Sequence, residues 1–401
     1  MTDRQYIVTE RAHLMCPNMY FGILISIKEN YDWDKINAVK EKLSDAHPFL
    51  KCLIAEDENH EPYYQVQSIS EVILREMVSL KSMEANYKQI GGCGWDVFSE
   101  GLLRIYTYPE KNGFDVLFAA HHLLCDGRGL MELAISFADC YVKGVQPVYQ
   151  KECLIRSMED MPNGSDLSLI SKMVIDSANR QWKKEGKRVI YKDYLAFEKD
   201  FCRKNPLCLY FKSESYERTA EIISMCHDNA ISVNDYLIAK MMQEEDTNKV
   251  VIAADIRSCL SAFEKGSLGN FATAFSVSGP GKSAELMETA GIVSKNVRRC
   301  MADPGKMMTI LACYFRMTPE LIDAVAISTL GDFKSRAGMF VGSRMFGYRD
   351  RSGYSITNLG KYESETIIDA VFIPPASPAN RKTVGALTVN GILHTCTVTC
   401  A

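Results

Sequence analysis

The stretch Phe118–Leu130, FAAHHLLCDGRGL, constrains this chain more than any other. Phe114–Ala120 is a nearly continuous apolar run, the pattern of a strand covered on both faces. His121 and His122 end it. From Gly127 onward, Leu130, Leu133, Ala134, Phe137, Ala138 and Tyr141 recur at helical spacing, and Asp126 stands in the capping position. The histidines therefore sit where a strand gives way to a helix. Adjacent residues in extended backbone point to opposite faces, so one histidine lines a given cavity and the other packs behind it.

An imidazole at such a place accepts a proton from an alcohol or amine as that group attacks a carbonyl. The glycines after Asp126 leave backbone N–H groups open to a developing oxyanion. This equips an acyl transferase that uses no serine or cysteine nucleophile. A metal site at His122 and Asp126 lacks a convincing third ligand nearby, so no metal is assigned.

The chain has 401 residues, 47% of them hydrophobic, which supports two domains of ordinary size. A net charge of −4 gives no global attraction to nucleic acid or to an anionic membrane. The fourteen cysteines are scattered without a Cys-x-x-Cys, and Met1–Leu14 lacks an apolar signal core. They read as reduced thiols in a cytoplasmic protein. No apolar run approaches membrane-spanning length, so bilayer insertion is not expected.

Tyr20–Ile27 reads as a buried strand, and Trp33–Ala46 as a helix stopped by Pro48 before a strand over Phe49–Ala55. Gly101–Tyr108 and Phe114–Ala120 form strands joined across an Asn-Gly pair, a hairpin that delivers the histidines to its end. Between Pro147 and Asn205 the pattern weakens. Arg180–Arg203 is rich in basic residues without clear periodicity, so residues 179–205 are expected to be a linker. Beyond it follow a strand near Leu207–Phe211, a helix over Ile222–Cys226, and a helix opened by a Ser232/Asp235 capping box. Val250–Ala254 reads as a strand ending in Asp255-Ile256-Arg257. The chain closes with strands over Ile367–Ile373, Thr383–Val389 and Ile392–Thr399. On the last, His394, Cys396 and Cys400 share a face, which reads as packing rather than a metal cluster. The glycine-rich stretch Gly338–Gly353 lacks a phosphate-loop pattern and is assigned no nucleotide.

His121-His122-Leu123-Leu124-Cys125-Asp126-Gly127 resembles the HHxxxDG motif of the condensation-domain and chloramphenicol-acetyltransferase-like superfamily of thioester-dependent acyltransferases. LSDAHPFLKCLI, GWDVFSEGLLR, VVIAADIRSCL and SLGNFATAF resemble further segments of that family in the expected order. Tyr354–Tyr362, YSITNLGKY, is similar to its SNLG-type segment, with Thr357 in place of the common serine.

The resemblance implies an α/β (α+β) fold of two chloramphenicol-acetyltransferase-like subdomains, residues 1–178 and 206–401, each a mixed sheet with flanking helices. Together they would form a V-shaped pseudo-dimer with an active-site tunnel at the interface. It implies His122 as the catalytic residue and His121, Asp126 and Gly127 as shapers of the site. Arg257 is implied as the partner of Asp126, and Asn358 as a candidate substrate contact. Acyl-CoA or an acyl-carrier-protein thioester would be a co-substrate, with no bound cofactor, and any carrier protein would act in trans on a small-molecule alcohol or amine. Two other readings stay open at this stage: a stand-alone condensation enzyme forming an amide from carrier-bound substrates, and a catalytically silent docking module.

Overall fold

The computed structural model of the protein describes residues 4–261 and 263–400. Strand Gly113–His121 is central to a five-stranded sheet. It pairs antiparallel with Tyr20–Ile27 on one side and Leu103–Glu110 on the other. Eight of its nine residues, Phe114–His121, are buried, as a strand flanked on both edges and covered on both faces requires. The hairpin turn is tighter than expected. Pro109 and Glu110 belong to the first strand, Glu110 pairs with Gly113, and only Lys111-Asn112 form the loop. After the turn at residues 122–126, helix Gly127–Lys143 runs back along the sheet, with Leu130, Leu133, Ala134, Phe137, Ala138 and Tyr141 on its buried stripe. Tyr141 and Phe114 pack edge to face, with ring centroids 4.9 Å apart.

Helix Trp33–Ala46 starts where expected, with the Asp32 side chain accepting from the Lys35 N–H. Phe49 does not begin a strand. Residues Pro48–Lys51 form a 3-10 turn that buries Phe49 and Leu50, and the strand is Cys52–Glu56. It belongs to a separate three-stranded sheet with Gln5–Tyr6 and Pro62–Val66.

The second half is built on a six-stranded sheet in the order Ala272–Ser278, Lys249–Asp255, Gly353–Tyr362, Asn380–Val389, Ile392–Cys400, Leu207–Ser213. The pairs made by Gly353–Tyr362 are parallel and the others antiparallel, so the sheet is mixed. Helix Val233–Glu244 opens with the expected box, Ser232 and Asp235 exchanging side-chain-to-backbone hydrogen bonds.

Two further features differ from the sequence expectation. Residues 179–205, the expected linker, are regular in structure despite their weak periodicity. They are taken up largely by helices Leu169–Glu185 and Tyr191–Lys204, separated by a turn at Gly186 in left-handed backbone. Each helix buries only a narrow stripe, Ile175, Ala178 and Trp182 in one and Tyr194, Glu198, Phe201 and Cys202 in the other. The remaining surface is charged, which hid the period. Nor is the chain after residue 206 confined to its own sheet. Strand Asp369–Ile373 crosses over and pairs antiparallel with Tyr20–Ile27 at the edge of the first sheet.

The glycines at 338 and 342 serve helix packing. A Cβ on Gly338 would stand 2.4 Å from Ser328 Oγ, and one on Gly342 2.0 Å from Thr329 Oγ1, so helix Arg336–Arg344 lies directly on helix Pro319–Leu330.

Candidate active site

His121 and His122 diverge as adjacent residues of a strand end must. The peptide N–H of His121 donates to Leu102 O (3.0 Å) and that of His122 to Met19 O (2.9 Å), so each neighbouring chain holds one of them. The His121 ring is buried edge-on against Trp95, and its Nδ1 accepts the Leu123 N–H at 3.3 Å. The His122 ring turns the other way and lines a cavity of about 390 Å³.

Two rings clamp His122. Phe21 lies 4.6 Å away between centroids, and His13 stacks at 4.9 Å with only 24° between planes. Nδ1 of His122 is buried and, among the described residues, makes no hydrogen bond of good geometry, while the ring itself lines the cavity. Burial first, then the neighbouring His121, push its pKa down to about 3, with the Cys125 backbone opposing weakly. His13 is held well below its ordinary value by burial and by His122. Both rings are neutral at neutral pH.

Asp126 is the hub beneath this clamp. Its carboxylate accepts from Arg257 Nη1 at 2.9 Å and Nη2 at 2.8 Å, from the Gly129 N–H at 2.9 Å, and from the Phe271 N–H at 2.8 Å. One side chain thus caps the helix, binds an arginine bidentately and fixes the 269–271 turn. Arg257 lies over the Phe271 ring, 4.8 Å from its centroid, and its Nη1 also reaches Asp255 Oδ1 at 3.1 Å. The turn it fixes carries Asn270, whose Nδ2 stands 3.1 Å from His13 Nε2. A chain of contacts therefore runs from Arg257 through Asp126 and Asn270 to the ring stacked on His122.

Gly127 lines the cavity, and a Cβ there would approach Leu359 Cδ2 to 2.9 Å and the Phe372 ring to 3.1 Å. Leu359 is delivered by an irregularity in strand Gly353–Tyr362, where the register against Asn380–Val389 shifts between Asn358 and Lys361. Asn358 Oδ1 accepts the Gly360 N–H at 2.9 Å, an Asx-type turn at that shift. Asn358 is therefore a turn-former whose side chain is not in the cavity lining. Thr357, one residue earlier, is on the cavity side because side chains alternate along a strand.

The sequence reading missed His13, Asn270 and a second buried cross-link. Arg11 Nε and Nη2 donate to the two oxygens of Asp323 at 3.0 and 2.7 Å, tying the four-residue helix that carries His13 to helix Pro319–Leu330. Asn270 lies within SLGNFATAF, which carries a family resemblance but no pattern that marks a side-chain role. His13 and Arg11 had no periodicity to mark them. Groups of three or more His, Cys, Asp or Glu side chains able to hold a metal are not found among the described residues.

No protein-family model matches the chain, and no curated protein matches it in sequence. Solved structures do. The trichothecene 15-O-acetyltransferase of Fusarium sporotrichioides superposes with a TM-score of 0.64 over 99% of this chain and 90% of its own, at 9% identity. Polyketide synthase associated protein 5 of Mycobacterium tuberculosis gives 0.61 over 100% and 94%, at 11% identity. The first condensation domain of the CDA synthetase gives 0.58 over 100% and 91%, at 10% identity.

The chain has the condensation-domain fold. Identities this low establish that fold and leave the chemistry to the site. The condensation fold here spans an acetyltransferase and a condensation domain of a synthetase, so the fold alone does not choose between reactions.

Proposed function

We propose that this protein transfers an acyl group from a thioester, carried on coenzyme A or on a carrier protein acting in trans, to an alcohol or amine. His122 is the general base. The observation that carries this reading is the clamped His122 ring, neutral and presented to a cavity with its other nitrogen buried.

The acceptor O–H or N–H donates to His122 Nε2 and gives up its proton as it adds to the thioester carbonyl. A C–O or C–N bond forms, and the carbonyl oxygen takes the negative charge. Collapse of the intermediate breaks the C–S bond, and the proton held on His122 passes to the departing thiolate. A ring with a pKa near 3 is fully neutral at working pH. The oxyanion forming beside it raises its basicity when it must hold the proton. The Gly127 N–H, first in its helix, is the oxyanion donor in this scheme, aided by the positive end of the helix. Asp126 and Arg257 hold that loop and do not touch substrate. Confinement of both substrates supplies much of the rate.

Purified protein incubated with a panel of acyl-CoAs and acyl-carrier proteins plus mixed alcohols and amines, read by mass spectrometry, tests the proposal. An acylated product absent with His122→Ala supports it. Product formation undiminished by that substitution removes His122 from the role, and no product from either class of donor removes the transferase reading.

A further inference from the structure

Among the described residues that line the catalytic cavity there is no lysine, arginine or glutamate, and the single aspartate is Asp126. Its two oxygens are already taken by four hydrogen bonds, two of them from the Arg257 guanidinium, and its side chain is 4% exposed. The other titratable rings facing the hollow, His13 and His122, are neutral. Much of the remaining lining is aromatic, with Phe21, Tyr314, Phe346, Tyr348 and Phe372. Tyr314 and Phe346 are stacked within 4° of parallel.

Another part of the lining comes from the six-stranded sheet. Its side chains there are small, Ala253, Ala272 and Ala274 among them, which is why a hollow exists at all. The polar groups on this wall are largely satisfied among themselves. Ser355 Oγ donates to Thr383 Oγ1 at 2.9 Å, and Asn380 Nδ2 donates to Ser355 Oγ at 2.8 Å. Thr357 also lines the hollow, and among the described residues its hydroxyl has no hydrogen-bond partner.

A cavity of this composition has no counter-charge for a ligand. A buried ammonium or carboxylate without a partner loses its hydration and gains nothing in return. We propose that the acceptor is an uncharged alcohol on an apolar, ring-bearing skeleton, so that the product is an ester; aliphatic amines and amino acids, charged at neutral pH, are excluded. This rests on the acyl-transfer reading for the reaction, but not for the ligand class. In the reaction the hydroxyl proton goes to His122 Nε2, the C–O bond forms, the C–S bond breaks, and the thiolate leaves with the proton.

The test uses matched probes on one skeleton, 2-phenylethanol, 2-phenylethylamine and phenylacetate, with binding to the intact protein followed by ligand-detected NMR or calorimetry. At pH 7 the alcohol is expected to bind about 100-fold or more tightly than either charged analogue. Amine affinity is expected to rise about tenfold per pH unit toward its pKa as the neutral form appears. Alcohol affinity stays flat. Thr357→Asp places a carboxylate in the wall and is expected to tighten amine binding at least about tenfold while weakening the alcohol. Thr357→Asn controls for shape.

Equal or tighter binding of the amine or the carboxylate at pH 7, or no measurable binding of the alcohol, overturns the proposal. Acetyl-CoA and carrier-bound acetyl donors, added in a separate arm, report on the chemistry. Alcohol binding without transfer from either donor keeps the ligand assignment and removes the transferase reading. Transfer to the amine with no alcohol binding does the reverse.

Discussion

Replacing Asp126 by asparagine and Arg257 by methionine, singly and together, interrogates the hub of the site. In the native protein both carboxylate oxygens accept twice, once from the guanidinium and once from a backbone N–H. Asparagine keeps one oxygen and sets an NH2 group against two donors. The buried guanidinium is then left with Asp255, itself shared with Arg128. Removing one partner of a buried pair costs about 3–5 kcal/mol, and Asp126→Asn is placed at that level. Arg257→Met leaves a carboxylate still held by the Gly129 and Phe271 N–H groups, and is expected to cost about 2–4 kcal/mol. In the double variant no charge of the pair remains buried without its mate, so the losses must not add. A coupling of about 2 kcal/mol is expected. Urea unfolding followed by fluorescence, with midpoints compared at constant slope, measures it. Additivity within about 0.5 kcal/mol would refute the claim that the two side chains act as one unit.

Stability should also depend on pH in a calculable direction. His47, His121 and His122 are depressed to about 4, 3 and 3, chiefly by burial. Their contribution is complete above about pH 6.5 and is lost as pH falls toward those values. Glu10 and Glu198, raised by burial to about 7, contribute in the opposite sense, fully below about pH 4.5 and progressively less up to 7. Melting temperature is therefore expected to fall below pH 6.5, more steeply below 4.5, and Glu198→Gln, which removes a contribution that grows on acidification, should steepen the fall between 6.5 and 4.5; a melting temperature constant from pH 7 to 4 would contradict this. Gly127→Ala drives a methyl into Leu359 and Phe372 and is expected to cost about 1–3 kcal/mol with reduced turnover; unchanged stability and activity would mean the loop yields freely. His13→Phe keeps a ring against His122 and should retain most of the turnover number, whereas His13→Ala should lower it about tenfold; equal effects would assign His13 a role beyond stacking.

How far the sequence could be read depended on the range of the interaction. The buried strand before His121, the Asp126 cap and the Ser232/Asp235 box were legible because each is decided by residues within one or two turns of chain. Residues 179–205 were not, because a stripe of three or four buried residues, one of them Glu198, gives a weak period among many charges. Asn358, a candidate contact by resemblance and equally a turn-former by residue type, makes the turn, and Thr357 beside it lines the cavity, because in a strand one position exchanges the two. The meeting of Arg257 with Asp126 followed from resemblance, not from any local pattern. His13 stands 109 residues from His122, on a helix of one turn, and nothing along the chain announces that the two rings will stack.

What unites the illegible features is the seam between the two sheets. Asp126 with Arg257 crosses it on one side of the His122 ring, and Arg11 with Asp323 crosses it at the helix bearing His13. Both are bidentate, buried arginine–carboxylate pairs, poor sources of net stability but exacting about distance and angle. Apolar packing across the same seam would tolerate small slips of one half against the other. The His13–His122 stack, the Asn270 contact and the fit of Leu359 on Gly127 would each be lost in such a slip. The crossing of strand Asp369–Ile373 into the first sheet adds a backbone ladder to the same constraint. The ion pairs therefore belong to the site as much as to the fold: they fix the register in which a histidine from one segment, a second from another and a wall from a third converge on one cavity.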